Sequence, residues 1–121
     1  MLPRGARLHA ERDIARVLRQ GLRRTHPFLQ VLLAAGTARV SRAAVVVSKQ
    51  VAKRATVRNR LRRQVQAVLP KALALLPEPV DAIVRLSPPA AKAKRNELIA
   101  ALRTTWPTHV PTHSPRTSYR R

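Results

Sequence analysis

The chain has 121 residues, which is the size of a single domain. Twenty-five lysines and arginines stand against five acids, so the formal net charge is +20 and the composition indicates a polyanionic partner. Because there is no cysteine, disulfides, thiolate zinc sites and cysteine nucleophiles are excluded. No apolar run approaches the roughly 20 residues that cross a bilayer, and the N-terminus lacks the apolar core of a secretion signal. These features predict a cytoplasmic protein that is not embedded in a membrane.

The first predicted element is a helix over residues 9–21. Ile14, Val17 and Leu18 recur at helical spacing, and Gly21 is a residue that commonly ends a helix. Acids near its start and a basic residue in its last turn agree with the helix dipole. The pattern therefore predicts an amphipathic helix with one apolar side.

Two extended stretches follow a polar connector at 22–27. Residues 28–36 have the aliphatic density of a strand and end at Gly36. Residues 39–48 form the second stretch, with the valines at 45–47 as its predicted buried centre.

Residues 45–69 then pass directly into the densest positive charge of the chain. Between residues 49 and 63 there are seven lysines and arginines and no acid. A helix here would place its apolar side chains in one stripe, formed by Val57, Leu61, Val65 and Val68. Asn59, Arg63 and Gln66 project opposite this stripe, and the other charges flank them. The seven basic residues, Lys49, Lys53, Arg54, Arg58, Arg60, Arg62 and Arg63, are therefore predicted to bind a polyanion.

Arginine suits this role because its planar fork can bind one phosphate through two hydrogen bonds. Arg58 and Arg62 lie one helical turn apart and could meet successive phosphates, while Asn59 could contact a base edge or a 2′-hydroxyl. The alternative is a solvated basic face without function. Such faces usually carry glutamates that pair at i, i+4, and this one carries none.

The helix is predicted to end near Pro70, with a continuation to residue 76 left open before the Pro77-Glu78-Pro79 break. Residues 80–86 predict a third strand and residues 90–106 a last helix. Its apolar side consists of Leu98, Ile99, Leu102 and Trp106. The predicted order is α, β, β, α, β, α within a domain of residues 1–106, followed by a basic, proline-containing disordered tail at 107–121.

No catalytic or metal-binding constellation is predicted. The acids are scattered along the sequence, and the one histidine pair at i, i+4 spacing, His109 and His113, lies in the predicted tail without a third ligand. Only three aromatic residues are present, so binding of nucleic acid would depend on charge more than on stacking.

The stretch VVVSKQVAKRATVRNRLRR closely resembles the bacterial ribonuclease P protein family, which is marked by an Arg-Asn-Arg helix after a strand ending Val-Ser/Ala-Lys. The likeness extends to Asp13–Leu18, to Arg42 before the central strand, to the strand at 81–86 and to the closing helix. It implies an α+β fold, a two-layer α/β sandwich in which a small mixed sheet packs with helices, like the second domain of ribosomal protein S5. It also implies one more short strand than the pattern predicts and a left-handed β-α-β crossover.

The resemblance implies the RNA-binding protein subunit of ribonuclease P, the endoribonuclease that removes the 5′ leader of precursor tRNA. Its partners would be the catalytic RNA and precursor tRNA, with no membrane and no protein partner required. The RNA would carry catalysis with Mg²⁺ that it mainly holds itself, while the protein binds the leader and enhances metal-ion affinity. Arg42 joins the predicted RNA-binding residues, and Ile14, Leu18 and Phe28 are the predicted leader-cleft residues. Ile14 and Leu18 stand where the family often has phenylalanine.

Two other classes fit the charge. A basic ribosomal or nucleoid protein would bind structural RNA or a duplex, and a cationic membrane-active protein would bind anionic vesicles. Neither class accounts for the spacing of the Arg-Asn-Arg block.

Overall fold

The computed structural model describes residue 2 and residues 4–108. This part of the chain forms three α-helices and four strands, with two short 3₁₀ turns at Arg4–Ala6 and Pro88–Lys92. The elements in chain order are α1 (Glu11–Gln20), β1 (Leu22–Thr25), β2 (Leu29–Ala35), β3 (Arg42–Val46), α2 (Ala55–Ala74), β4 (Val80–Leu86) and α3 (Arg95–Thr105).

The four strands form one mixed sheet in the order β1-β2-β4-β3. Strand β2 pairs antiparallel with both β1 and β4, whereas β3 and β4 are parallel. The two parallel strands are joined through α2, which makes a β-α-β unit. The mixed sheet and the α+β class are confirmed, and the left-handed path of the crossover stays a prediction.

Helices cover both faces of the sheet. On one face α1 buries Val17 against Leu32, Ala34 and Ile83. On the other face α2 and α3 bury the alternate residues of the central strands, so both sides of β2 and β4 are apolar. This double burial explains why these two strands appear in the sequence as nearly continuous apolar runs.

The structure corrects the prediction for 22–27, which is in part a strand and not only a connector. Strand β1 pairs Leu22 with Leu33 and Thr25 with Gln30, at the edge of the sheet. An edge strand is held mainly by backbone hydrogen bonds on one side, so its side chains can be polar and exposed. The extra strand implied by the family resemblance is therefore present.

The buried centre predicted at 45–47 is wrong at its middle residue. Val47 is buried and Val45 is half-buried, but Val46 is 38% exposed. Since β3 is the other edge of the sheet and side chains alternate between its faces, one valine of the three faces away from the core.

The basic helix continues past Pro70, as the open alternative allowed. Pro70 is exposed, while Leu69 and Leu73 on either side of it are buried. The proline ring thus lies on the solvent side of the helix, the side on which water can satisfy a carbonyl that proline leaves without its N–H partner.

The last helix begins at Arg95, five residues later than predicted. The chain before it forms the Pro88–Lys92 3₁₀ turn, and the Glu97 carboxylate accepts a hydrogen bond from the Lys94 N–H (2.8 Å) at the start of α3. Three residues of its predicted apolar side, Leu98, Leu102 and Trp106, are buried, whereas Ile99 is half-buried and lines a groove between α2 and α3. Pro107 is also buried, and the rest of the predicted tail, from residue 109, lies outside the described residues.

Candidate nucleic-acid interface

The apolar stripe of α2 faces the core, as predicted. Leu61 and Val65 are at most 1% exposed, and Val57 and Val68 pack against the same core at their edges. Burial of this stripe turns the opposite side of the helix to solvent. That side carries the basic ridge, which consists of Asn59, Arg60, Arg62 and Arg63.

Two members of the ridge are fully available to a partner. Arg60 and Arg63 are exposed, and within the described structure neither has a hydrogen bond or ion pair. Arg62 is half-buried and its Nη1 donates to the Asn59 Oδ1 (2.7 Å), one turn back along the helix. This pair leaves further guanidinium N–H groups of Arg62 free, so it holds Arg62 in place without removing its charge.

Arg58 has a different environment from its neighbours. Its Nη1 donates to the carbonyl oxygens of Ala52 (2.9 Å) and Lys53 (2.8 Å). Both acceptors lie in residues 47–54, a segment we call the basic loop, which connects β3 to α2. The sequence predicted a phosphate contact at Arg58, and the structure shows that part of its guanidinium binds the protein's own backbone.

The basic loop brings more positive charge to the N-terminus of α2. Lys49, Lys53 and Arg54 are all exposed on it, while Val47 and Val51 are buried and anchor it. No acid lies in the first turn of α2, and no side chain caps its free N–H groups. The positive end of the helix dipole therefore adds to the charge of the side chains, an arrangement that favours phosphate groups.

Arg42 lies apart from these residues, at the opposite end of β3 from the basic loop. Its Nε and Nη2 donate to the two carboxylate oxygens of Asp81 (3.0 and 2.8 Å), and its Nη1 is 3.3 Å from Asp13. Asp81 is fully buried and also accepts a hydrogen bond from Arg16. This acid–arginine cluster ties α1 to β3 and β4.

The cluster also perturbs the charge state of Arg42. Its hydrogen bond to Asp81 raises the pKa of Arg42 above the ordinary value, against a smaller opposing effect of desolvation. Arg42 therefore remains protonated inside the fold. RNA contact by Arg42 stays a prediction, while the contacts that the structure shows are internal.

The predicted leader-cleft residues do not come together. Ile14 and Leu18 pack against the core beneath α1, on one face of the sheet. Phe28 packs against the core on the α2 and α3 side, with its ring 5.2 Å from that of His26. The sheet thus separates Phe28 from the other two residues, because the side chains of a strand and its flanks alternate between two faces.

A polar groove occupies the part of the α1-side face that α1 leaves uncovered. This sheet groove has a volume of about 330 Å³, and its lining includes Thr25, Gln30, Val46, Ser48, Gln50 and Arg85. Gln30 accepts a hydrogen bond from Arg85 (2.7 Å) through its Oε1 and donates to Thr25 (3.3 Å) through its Nε2. Arg85 is therefore held above the sheet with other N–H groups left to donate.

Gln30 and Arg85 are not among the site residues predicted from the sequence. The sequence does contain a sign of them, because each is a polar residue within an otherwise apolar strand. In the sheet they lie opposite each other, on the same face as Ile83. What could not be found is their pairing, since β2 and β4 are 55 residues apart at this point.

Among the described residues, no group of three or more His, Asp or Glu side chains could hold a metal ion, and no helix there is long and apolar enough to span a membrane. The groove and the ridge instead carry donors for anions, namely guanidinium, amide and hydroxyl groups, and the basic loop adds the ammonium groups of Lys49 and Lys53. Such a surface can bind and orient a phosphate backbone.

The ribonuclease P family model matches residues 2–109. The chain belongs to the ribonuclease P protein family. It is 35% identical over 100 residues to the ribonuclease P protein component of a Pseudanabaena species, covering 81% of this chain and 85% of that protein. It is also 36% identical over 107 residues to the protein of the same name from Streptomyces avermitilis, covering 81% and 86%.

Solved structures show the same fold. The Staphylococcus aureus ribonuclease P protein superposes with a TM-score of 0.75 at 19% identity, covering 83% of this chain and 91% of that one. The Thermotoga maritima protein gives a TM-score of 0.71 at 21% identity, covering 83% and 94%. Family membership makes this chain the protein subunit of ribonuclease P, an RNA-binding component of tRNA 5′ processing.

Proposed function

We propose that the chain binds the catalytic RNA of ribonuclease P through the basic ridge and the basic loop, and the 5′ leader of precursor tRNA through the sheet groove. The observation that carries the first part is the exposed, acid-free array of cations on α2 and the loop before it. Phosphate contacts of this kind supply affinity independently of sequence. Of the set predicted from the sequence, we assign direct RNA contact to Lys49, Lys53, Arg54, Asn59, Arg60, Arg62 and Arg63. Arg58, whose Nη1 binds the loop backbone, and Arg42, which lies apart, are separate from this group.

The position of the sheet groove supports the second part. Ser48 and Gln50 line the groove and flank Lys49 in the chain, so the groove opens beside the basic loop. The single-stranded leader of a precursor tRNA bound next to the loop could enter the groove directly, and it would pass from the cations of the loop to Arg85. Arg85 offers a phosphate donor there, and Gln30 and Thr25 offer polar groups to bases or sugars.

Within this proposal the protein binds and orients, and the RNA subunit carries out hydrolysis. Magnesium ions, held mainly by the RNA, supply the activated water. This chain contributes cations and hydrogen-bond donors that hold the leader, so the scissile phosphodiester is kept in place when metal is scarce. We propose the cytoplasm as its location.

The test is cleavage of precursor tRNA by the cognate catalytic RNA at low magnesium, with and without this protein. We expect the protein to restore cleavage and to show no nuclease activity alone. Affinity of the holoenzyme should rise with leader length until the groove is filled, with strong salt dependence. Equal affinity for precursors with and without a leader would contradict leader binding even if the RNA subunit were bound.

Arg85→Met tests the groove itself. Because a charge-assisted hydrogen bond contributes about 1.5–3 kcal/mol, we expect the preference for precursor over mature tRNA to fall by about tenfold or more. Arg103→Met is the matched control, since Arg103 is exposed on α3 on the other face of the sheet. An equal loss in both variants would show that the effect is one of net charge, not of the groove.

A further inference from the structure

The geometry of Arg58 points to a role other than a phosphate contact. One guanidinium nitrogen, Nη1, donates to two successive carbonyl groups of the basic loop, those of Ala52 and Lys53. Arg58 is also half-buried, while Asn59 and Arg60 next to it are exposed. Its side chain thus runs back along the helix start toward the loop and not outward with the ridge.

The loop needs such a restraint. Val51 is buried and its N–H donates to the Ser48 carbonyl (3.1 Å), which fixes the first half of the loop. Ala52 is half-buried and its N–H is 3.5 Å from the Ser48 carbonyl oxygen, but Lys53 and Arg54, the last two residues before α2, are exposed. Their charges repel each other and those of the helix, so an unrestrained loop would spread over many conformations.

Arg58 counters this tendency in two ways. Its hydrogen bonds fix the direction of two peptide groups, and hence of the side chains that leave the backbone between Ala52 and Arg54. It also places a cation where it meets the partial negative charge of carbonyl oxygens. One basic side chain, that of Arg58, thus fixes the orientation of two others, those of Lys53 and Arg54.

We propose that Arg58 is a positioning residue that holds Lys53 and Arg54 in the conformation in which they meet the RNA. The proposal rests on RNA binding by the basic loop, and it assigns Arg58 no phosphate of its own. Loss of Arg58 would then leave the number of phosphate contacts unchanged but require the loop to be ordered on binding. Such ordering lowers affinity without changing counterion release.

The experiment compares Arg58→Met with Arg60→Met in the full chain. Methionine keeps an unbranched stem of similar thickness and removes the donors and the charge. Affinity for the cognate catalytic RNA is measured over a series of salt concentrations. For Arg60→Met, an exposed residue, the slope of log K against log [salt] should fall in magnitude by roughly 0.7–0.9. For Arg58→Met we expect an affinity about tenfold weaker at every salt concentration and an unchanged slope.

A second measurement needs no RNA. Amide hydrogen exchange of the free protein should be faster in residues 51–55 of Arg58→Met than in wild type, with exchange in the core of α2 unchanged. Arg60→Met should exchange as wild type does. Arg58→Lys, which keeps a donor and a cation of similar reach, should return loop exchange toward wild type and guards against failure of the methionine variant to fold.

The outcomes separate the hypotheses. A slope reduced by one contact in Arg58→Met, with unchanged loop exchange, would overturn the proposal and make Arg58 a phosphate ligand. Wild-type protein that does not bind the RNA would refute the proposed function, while the exchange data would still decide whether Arg58 orders the loop.

Discussion

Replacing Asp81 with asparagine tests whether the cluster of Asp81, Arg42, Arg16 and Asp13 holds the fold together. Asp81 is fully buried, and its carboxylate accepts two hydrogen bonds from Arg42 and one from Arg16. Asparagine has nearly the same volume, so the change leaves no cavity. It removes the negative charge and places an amide that donates where two guanidinium groups also donate.

The expected loss of unfolding free energy depends on which acids remain for the two arginines. Asp13, 3.3 Å from Arg42, would be the one acid left for two arginines in the cluster. Breaking a buried ion pair by removing one partner costs about 3–5 kcal/mol. The side chains of Arg16 and Arg42 are 21% and 18% exposed, so water can partly solvate them again and we expect about 3 kcal/mol. For a domain of this size that corresponds to a melting temperature lower by about 12 °C.

Thermal and urea denaturation of Asp81→Asn measure this loss directly. Combining it with Arg42→Gln should recover part of the stability, because the cost comes from an uncompensated charge. Since the pKa of Arg42 is raised, its stabilising contribution is present below its unfolded-state pKa and is lost only as pH rises through the still higher folded-state pKa. Arg42 therefore adds no pH dependence to stability near neutrality.

Arg42→Met alone distinguishes the structural role from the RNA contact predicted by the sequence. The structure predicts lower stability with an unchanged salt slope for RNA binding. A slope lower by roughly 0.7–0.9 with unchanged melting temperature would refute the reasoning and assign Arg42 to the RNA. A melting temperature of Asp81→Asn equal to that of wild type would show that the cluster contributes nothing to the fold.

Three further predictions concern the fold and its charge. Leu61→Ala should lower the free energy of unfolding by about 2–5 kcal/mol in urea titrations, because Leu61 is fully buried on α2; a loss near zero would reverse the assignment of faces. Gly21→Ala should cost about 1–3 kcal/mol, since the new Cβ would lie 2.5 Å from the Val17 carbonyl oxygen, and an unchanged stability would mean that the α1–β1 junction shifts freely. Millimolar sulfate or polyphosphate should raise the melting temperature of the +20 chain by binding and screening, and melts insensitive to such anions would contradict this.

The sequence by itself determined the elements whose character is local. The i, i+4 stripe of α2, the apolar runs of β2 and β4 and the acid-free block on α2 were predicted from periodicity and charge. A stripe marks one buried face of a helix and a continuous apolar run marks a strand buried on both faces, regardless of which elements cover them. The Arg-Asn-Arg block also carried the family resemblance, which the comparisons confirm.

Tertiary structure decided the features that depend on which strands are neighbours. Strand β1 was missed and Val46 was wrongly predicted to be buried, because edge positions follow from strand order and not from residue type. Arg42 is 39 residues from its partner Asp81, Arg16 is 65 residues from it, and Gln30 is 55 residues from Arg85. The sequence does not show that these polar residues have partners. The packing of α1 on the sheet buries Asp81 with Arg16 and Arg42, where an unpaired charge would be costly, and leaves Gln30 and Arg85 beside an open groove.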